Sequence, residues 1–148
     1  MDDAIDLLLV EDSVEDAELA VRELTRYHML NRIHVVRDGE EALELIFGEG
    51  NYSERTAGVG LGLILLDLQM PKVDGMEVLR RVNADGRTNH IPIVVLTNST
   101  RAPDIAEARR LGAKGYMVKP VDFLKLVETA RELGFQWSLF DAPTITLT

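Results

Sequence analysis

Residues 61–75 read LGLILLDLQMPKVDG, in which four consecutive apolar residues, Leu63 to Leu66, run directly into the carboxylate of Asp67. A short, continuous apolar run predicts a strand that is buried on both faces, as in a parallel sheet. A carboxylate is costly to bury unless it is paired or bound to a metal. We therefore expect Asp67 to lie where this strand ends, among polar partners from elsewhere in the chain.

The hydrophobic period changes repeatedly along the chain and predicts five strand–helix units. The predicted strands cover residues 5–11, 32–38, 63–67, 91–97 and 115–119. The predicted helices cover residues 13–28, 40–47, 74–84, a segment from about 103 to 112, and 121–134, and the glycine-rich residues 48–61 are expected to form a surface loop. Ser13 with Asp16, and Asp74 with Glu77, have the spacing of helix caps. This alternation implies a doubly wound α/β fold, a parallel sheet with helices on both faces.

Composition narrows the class of protein. The 148 residues fit one domain, and 46% hydrophobic with 28% charged residues indicates a globular chain. The formal net charge of −9 disfavours binding to nucleic acid or to an anionic membrane surface. There is no cysteine, no apolar run long enough to span a membrane and no basic start typical of a signal peptide. We therefore expect a cytoplasmic protein.

Polar residues are predicted at the carboxyl ends of four strands, where ligands bind in a doubly wound sheet. These residues are three acids, a hydroxyl and an ammonium: Glu11 and Asp12, Asp67, Thr97 and Lys119. Two carboxylates about 4 Å apart repel by about 4 kcal/mol at an effective dielectric constant of ~20. Three acids held together must therefore be protonated, pair with Lys119 or bind a cation.

The all-oxygen ligand set favours a hard cation such as Mg²⁺, which usually takes one or two carboxylates together with phosphate oxygens and water. A carboxylate beside such a cation is suited to accepting a phosphoryl group. The metal, Lys119 and Thr97 would then neutralise or hydrogen-bond the phosphoryl oxygens. The residues at this edge therefore suit phosphoryl transfer to Asp67.

Four motifs resemble the receiver domain of two-component response regulators. They are LLVEDS (8–13), LILLDLQMPKVDGMEVL (63–79), IPIVVLTNS (91–99) and GYMVKPVD (115–122). The resemblance covers residues 5–134 and implies a flavodoxin-like sheet with strand order 2-1-3-4-5. It implies a receiver domain over residues 1–134, a C-terminal extension over 135–148 and no output domain.

The resemblance also implies a role for each site residue. Asp67 would accept a phosphoryl group from the phosphohistidine of a sensor histidine kinase, so the chain would be a phosphoacceptor that catalyses only its own phosphorylation and dephosphorylation. Mg²⁺, or Mn²⁺ or Ca²⁺ in its place, would be held by Glu11, Asp12, Asp67 and the backbone carbonyl of Gln69. The remaining implied roles are the switch hydroxyl on Thr97, the switch aromatic on Tyr116, the phosphate-contacting ammonium on Lys119 and a cis Lys119–Pro120 bond.

Two positions depart from the commonest receiver pattern. Position 69 is often Asn or Asp and is Gln here, which leaves metal binding through the main-chain carbonyl intact but leaves the autodephosphorylation rate open. Asn98 replaces the small residue that often follows the switch threonine, and this larger amide could restrict access to Asp67.

A narrower resemblance links the chain to the stand-alone regulators paired with bacterial and cyanobacterial phytochrome histidine kinases. It rests on VEDSVEDAEL (10–19), RIHVVRDGEEALELIF (32–47) and YMVKPVDF (116–123). Residues 135–148, FQWSLFDAPTITLT, alternate apolar and polar residues as a strand does. This pattern predicts an arm that is folded back on its own domain or left frayed, or an arm that crosses to a second copy of the chain. The resemblance implies a dimer formed by the last helix, the fifth strand and this tail, and we expect a homodimer through that surface.

Three alternatives remain. Phosphatases that resemble haloacid dehalogenases also use a strand-end aspartate, but they need a second acid two residues later, where this chain has Gln69. A receiver-shaped interaction module that has lost phosphorylation is disfavoured by the complete set of Glu11, Asp12, Asp67, Thr97 and Lys119. A receiver of a phosphorelay or of chemotaxis would share every motif above.

Overall fold

The computed structural model describes residues 4–26, 32–70 and 72–133, in which strands and helices alternate. The strands of this part of the chain are β1 (Ile5–Val10), β2 (Ile33–Val36), β3 (Leu61–Asp67), β4 (Ile93–Thr97) and β5 (Gly115–Val118). The helices are α1 (Val14–Arg26), α2 (Gly39–Phe47), α3 (Gly75–Ala84), α4 (Ala102–Arg110) and α5 (Phe123–Glu132), with a 3₁₀ turn at Gly50–Tyr52. None of the helices described is both long enough and apolar enough to cross a membrane.

The five strands form one parallel sheet in the order β2-β1-β3-β4-β5. Val10 lies beside Leu66, and Asp67 lies beside Leu96 in the neighbouring strand. Because all the strands run in the same direction, their carboxyl ends lie along a single edge. The predicted α/β fold, with its flavodoxin-like strand order, is confirmed.

Helices cover both faces of the sheet, which explains the continuous apolar runs in the strands. On one face, α1 and α5 pack through Ala20 and Leu126 against a cluster that includes Leu65 of β3. On the other face, α2, α3 and α4 cover a cluster that includes Leu66 of the same strand. Successive β3 residues therefore enter different cores, and each fully buried leucine contributes about 1.5–3 kcal/mol to stability.

Two predicted boundaries are shifted by residues at the ends of elements. β4 begins at Ile93 rather than at residue 91, because Pro92 has no N–H group for the ladder. The Pro92 carbonyl still accepts a hydrogen bond from the Ile64 N–H group at 3.0 Å. α5 begins at Phe123 rather than at residue 121, because Asp122 is extended and its carboxylate caps the first turn. The predicted cap of α3 is confirmed, since the Glu77 N–H group donates to Asp74 at 3.0 Å.

Other expectations concern loops and chain segments. The segment predicted as a loop, 48–61, contains the 3₁₀ turn, and its last residue, Leu61, already pairs with Ile5 in the sheet. The Lys119–Pro120 bond is cis, as the resemblance implies. The predicted end of α1 at residues 27–28, the predicted end of α5 at residue 134 and the arm at 135–148 lie outside the described residues.

Gly39, at the start of α2, packs against the backbone of the loop that follows β3. A Cβ atom at this position would overlap the carbonyl oxygen of Val73, and a backbone atom cannot rotate away. We expect Gly39→Ala to lower the free energy of unfolding by about 2–3 kcal/mol, as measured by urea denaturation. Gly86→Ala is the matched control, because nothing lies within 4 Å of its added Cβ. Equal urea midpoints for the two variants would contradict this prediction.

Candidate functional site

Backbone hydrogen bonds just beyond the strand ends place the polar residues. The Glu11 N–H group donates to the Val36 carbonyl at 3.0 Å, which extends the pairing of β1 with β2 by one residue. The Lys119 N–H group donates to the Thr97 carbonyl at 2.7 Å, which extends β4 and β5 in the same way. These bonds bring the side chains of the first, fourth and fifth strand ends to the edge where Asp67 ends β3.

The Lys119 ammonium lies at the centre of a group of carboxylates. Its Nζ atom donates to Glu11 Oε1 at 2.7 Å, to Asp16 Oδ2 at 3.0 Å and to Asp67 Oδ2 at 3.3 Å. The Lys119 side chain is only 13% exposed, so these interactions are weakly screened by water. Asp67 Oδ1 accepts a separate hydrogen bond from the Gln69 N–H group at 3.0 Å. Both oxygens of Asp67 are therefore held in position.

Burial and pairing change the ionisation of this group. Burial raises the pKa of Glu11 to about 7, and the nearby Asp67 carboxylate adds to the increase while the hydrogen bond from Lys119 opposes it. Burial alone would lower the pKa of Lys119, but its hydrogen bonds to Glu11 and Asp16 raise that pKa above its usual range. Lys119 therefore stays charged, whereas its hydrogen bond to Glu11 only partly offsets the cost of burying the Glu11 carboxylate.

Glu11, Asp12 and Asp67 fit a divalent cation. Each offers one carboxylate oxygen, and these three oxygens lie within 4.8 Å of one another. Glu11 and Asp67 are buried and Asp12 is exposed, so the group opens to solvent on one side. The exposed side is a cleft of about 530 Å³ lined in part by Asp12, Gln69 and Thr97. Hard oxygen ligands with an open coordination side suit an ion that also binds phosphate oxygens and water.

A close backbone approach holds the loop after β3 against the start of α3. The Gly75 N–H group donates to the Leu68 carbonyl at 3.0 Å. A Cβ atom on Gly75 would lie 2.5 Å from both the Asp67 carbonyl oxygen and the Leu68 Cα atom. The absence of a side chain at position 75 therefore allows the helix to pack directly against the residue that carries the central carboxylate.

Ser99 connects Thr97 to Tyr116. Thr97 is buried, and its hydroxyl oxygen accepts a hydrogen bond from the Ser99 N–H group at 3.2 Å. The half-buried Tyr116 donates its hydroxyl hydrogen to the Ser99 carbonyl at 3.1 Å. The Ser99 hydroxyl donates to Asp104 Oδ2, in the first turn of α4, at 2.6 Å. A movement of Thr97 would therefore be transmitted to Tyr116 through a single residue.

Residues 7–131 match the family model described as the response regulator receiver domain. The chain belongs to this family. The receiver domain family is one of phosphoacceptors.

Three relatives illustrate the similarity. The bacteriophytochrome response regulator AtBRR has 38% sequence identity and a TM-score of 0.81, with coverage of 94% of this chain and 99% of that one. The "Probable methanogenesis regulatory protein FilR2" of Methanothrix harundinacea (strain 6Ac) is 37% identical over 139 residues, which are 92% of this chain and 85% of the relative. Response regulator Rcp1 of Synechocystis (strain PCC 6803) is 34% identical over 131 residues, covering 88% of this chain and 87% of the relative. The Mn²⁺-bound structure of Rcp1 has 30% identity and a TM-score of 0.71, covering 97% of this chain and 99% of that one.

Asp16 is the residue of this receiver site that the sequence interpretation missed. Ser13 was predicted to cap α1, with Asp16 completing a pair like a capping box. The cap by Ser13 is confirmed, since the Asp16 N–H group donates to the Ser13 hydroxyl oxygen at 3.2 Å, but the reciprocal part of the prediction is wrong. The Ser13 N–H group donates to Glu11 Oε2 at 3.2 Å, and the Asp16 carboxylate pairs with Lys119. The signal available in the sequence was helical direction, because a first-turn side chain points back towards the helix N-terminus and hence towards the strand ends.

Proposed function

We propose that this receiver domain accepts a phosphoryl group on Asp67 from the phosphohistidine of a sensor histidine kinase. The supporting observation is the position of the Asp67 carboxylate at the end of β3, with one oxygen bonded to Lys119 and with Glu11 and Asp12 beside it. A buried carboxylate that served structure alone would need a partner but not two further acids around it. This crowding of negative charge is suited to a cation and a phosphoryl group.

The transfer is a displacement at phosphorus. A carboxylate oxygen of Asp67 forms the new bond to phosphorus, while the phosphorus–nitrogen bond of phosphohistidine breaks and the imidazole keeps the electron pair. Lys119 offsets the charge on the phosphoryl oxygens, and the Thr97 hydroxyl donates a hydrogen bond to one of them. Hydrolysis of the acyl phosphate by water regenerates Asp67, so the chain catalyses only its own phosphorylation and dephosphorylation.

We propose Mg²⁺ as the cation, with Mn²⁺ or Ca²⁺ able to take its place, held by Glu11, Asp12, Asp67 and the backbone carbonyl of Gln69. The oxygen ligands of the first three residues and the Mn²⁺-bound form of Rcp1 support this assignment. When bound, the ion supplies positive charge that neutralises phosphoryl oxygens.

Intact mass spectrometry after incubation with acetyl phosphate tests the proposed phosphorylation of the chain. We expect one phosphoryl adduct with Mg²⁺ and none with EDTA, and a wild-type chain without an adduct in Mg²⁺ would contradict it.

Phosphorylation would act as a switch through Ser99. The phosphoryl group adds a charge of about −1.5 to −2 and strong acceptor oxygens, which draw the Thr97 hydroxyl away from its present contact. The Ser99 N–H group then loses its partner, and the Tyr116 hydroxyl, bonded to the Ser99 carbonyl, moves with that loop. If phosphorylation stabilises one of two conformations by about 1.4 kcal/mol relative to the other, the ratio of their populations shifts tenfold. The favoured conformation then presents a different surface on β4 and β5.

We propose a kinase of the phytochrome type as the phosphoryl donor. The similarity to AtBRR, described as a bacteriophytochrome response regulator, supports this choice. Transfer from an autophosphorylated bacteriophytochrome kinase to this chain is expected to require Asp67. Equal or faster transfer from kinases of chemotaxis or of a phosphorelay would favour those alternatives.

We also propose a homodimer formed by α5, β5 and residues 135–148. Val118 of β5 and Leu124 of α5 are exposed apolar side chains on the elements concerned, and burying them against a second copy of the chain would remove apolar surface from water. Light scattering is expected to give a dimer mass for the full chain and a monomer mass after deletion of residues 135–148. Leu124→Ser should weaken the dimer, whereas Val59→Ser, at an exposed apolar residue of a loop, should not. A monomeric full chain would rule out this assembly.

A further inference from the structure

Asp16 holds a carboxylate at the receiver site that the proposed phosphorylation does not use. Its Oδ2 atom accepts a hydrogen bond from Lys119 Nζ at 3.0 Å. Its own N–H group donates to the Ser13 hydroxyl at 3.2 Å, so Ser13 provides the cap of α1. The helix therefore does not need the Asp16 carboxylate as its cap. The contact that this carboxylate makes at the site is the one with Lys119.

The hydrogen-bonding capacity of Lys119 is fully used. An ammonium group has three N–H donors, and these contact Glu11 at 2.7 Å, Asp16 at 3.0 Å and Asp67 at 3.3 Å. A phosphoryl group on Asp67 adds acceptor oxygens that also need a donor. Lys119 can bond to them only if it gives up, or shares, one of its present acceptors.

Asp16 is the acceptor that Lys119 can release most easily. The Glu11 side chain is 3% exposed and also accepts the Ser13 N–H group, so it would lose its ammonium partner in a buried position. The Asp16 side chain is 46% exposed, and water can replace the ammonium there at little cost. Asp16 and Lys119 also line a cavity of about 230 Å³ between α1 and the loop before α5, which leaves room for both side chains to move.

We propose that Asp16 is a positioning residue that competes with the phosphoryl group on Asp67 for the Lys119 ammonium. This inference rests on the proposed function of Asp67. In the unphosphorylated state Asp16 draws Lys119 towards α1, and the longest of the three Lys119 contacts is the one with Asp67. Asp16 thereby lowers the affinity of the site for the phosphoryl group.

The test compares Asp16→Asn with Glu15→Gln, which removes the same charge from the same exposed helix turn without touching Lys119. Beryllium trifluoride, in the presence of Mg²⁺, attaches to a carboxylate oxygen as a non-covalent analogue of the phosphoryl group. Its binding to the full chain is followed by ¹⁹F NMR. We expect the apparent Kd to fall about three- to fivefold in Asp16→Asn and to stay within about twofold of wild type in Glu15→Gln.

The direction of the change separates competition from a structural role. Damage to α1 or to the site would weaken binding of the analogue, whereas release of Lys119 tightens it. If Asp16→Asn binds the analogue no more tightly than Glu15→Gln while wild type binds it and forms the Asp67 adduct, the inference is wrong and the proposed function stands. If wild type neither binds the analogue nor forms the adduct, both are overturned.

Discussion

Replacing Asp67 with asparagine is expected to abolish the phosphoryl adduct that acetyl phosphate leaves on the wild-type chain. The amide has nearly the same size and keeps an oxygen for the hydrogen bond from the Gln69 N–H group, so the fold should be retained. An amide, however, is not the anionic nucleophile that attacks phosphorus. Intact mass spectrometry in the presence of Mg²⁺ should therefore show complete loss of the adduct, with a urea midpoint close to that of wild type.

Asp74→Asn is the matched control for this loss. Asp74 lines the same cleft as Asp12 and Thr97, but its carboxylate caps α3 through the Glu77 N–H group. Asparagine is an equally good cap, so this variant should still carry the adduct. An adduct that persists in Asp67→Asn would place the acceptor on another residue. Peptide mapping of that adduct would test Asp12 first, because it is the exposed acid of the cluster.

Replacing Lys119 with methionine is expected to change metal binding and phosphorylation in opposite directions. Lys119 neutralises Glu11 and Asp67, so its removal leaves an acidic cluster with a greater need for a cation. A charge about 4 Å away contributes about 4 kcal/mol at an effective dielectric constant of ~20, and after discounting for screening we expect Mg²⁺ to bind about tenfold more tightly. Loss of a donor to the phosphoryl oxygens should slow adduct formation by about 100-fold or more.

Lys125→Met is the control for this second prediction, because Lys125 is an exposed lysine of α5 whose N–H group bonds to the capping carboxylate of Asp122. Calorimetry gives the Mg²⁺ affinity, and the time course of the intact mass gives the rate. The metal-free Lys119→Met chain should also be less stable, since a buried carboxylate loses its partner, and Mg²⁺ should restore part of that stability. If the Mg²⁺ affinity and the rate of adduct formation both fall, Lys119 supports the site as a whole, and the prediction of opposite effects on metal binding and phosphorylation is wrong.

Much of the fold follows from local patterns. The run from Leu63 to Leu66 predicts a buried strand because each residue must enter an apolar core on one face or the other, and β3 has this structure. Element boundaries were less exact because they depend on single hydrogen bonds. Pro92 shortens β4 by lacking an N–H group, and the extended Asp122 delays the start of α5. The strand order was predicted by the family resemblance, since periodicity alone does not distinguish one arrangement of parallel strands from another.

The residues of the site were likewise predicted in part from the sequence and in part seen only in the tertiary structure. The sequence by itself determined which residues end each strand, because the hydrophobic run stops where the chain leaves the core, and this was enough to nominate Glu11, Asp12, Asp67 and Lys119. Only the tertiary structure decided that Asp16 turns from its local cap towards Lys119, 103 residues away. Local cap chemistry depends on neighbours three residues apart, whereas this pairing depends on where α1 packs relative to the end of β5. A contact of that kind is a property of how two elements meet, and no short stretch of sequence contains it.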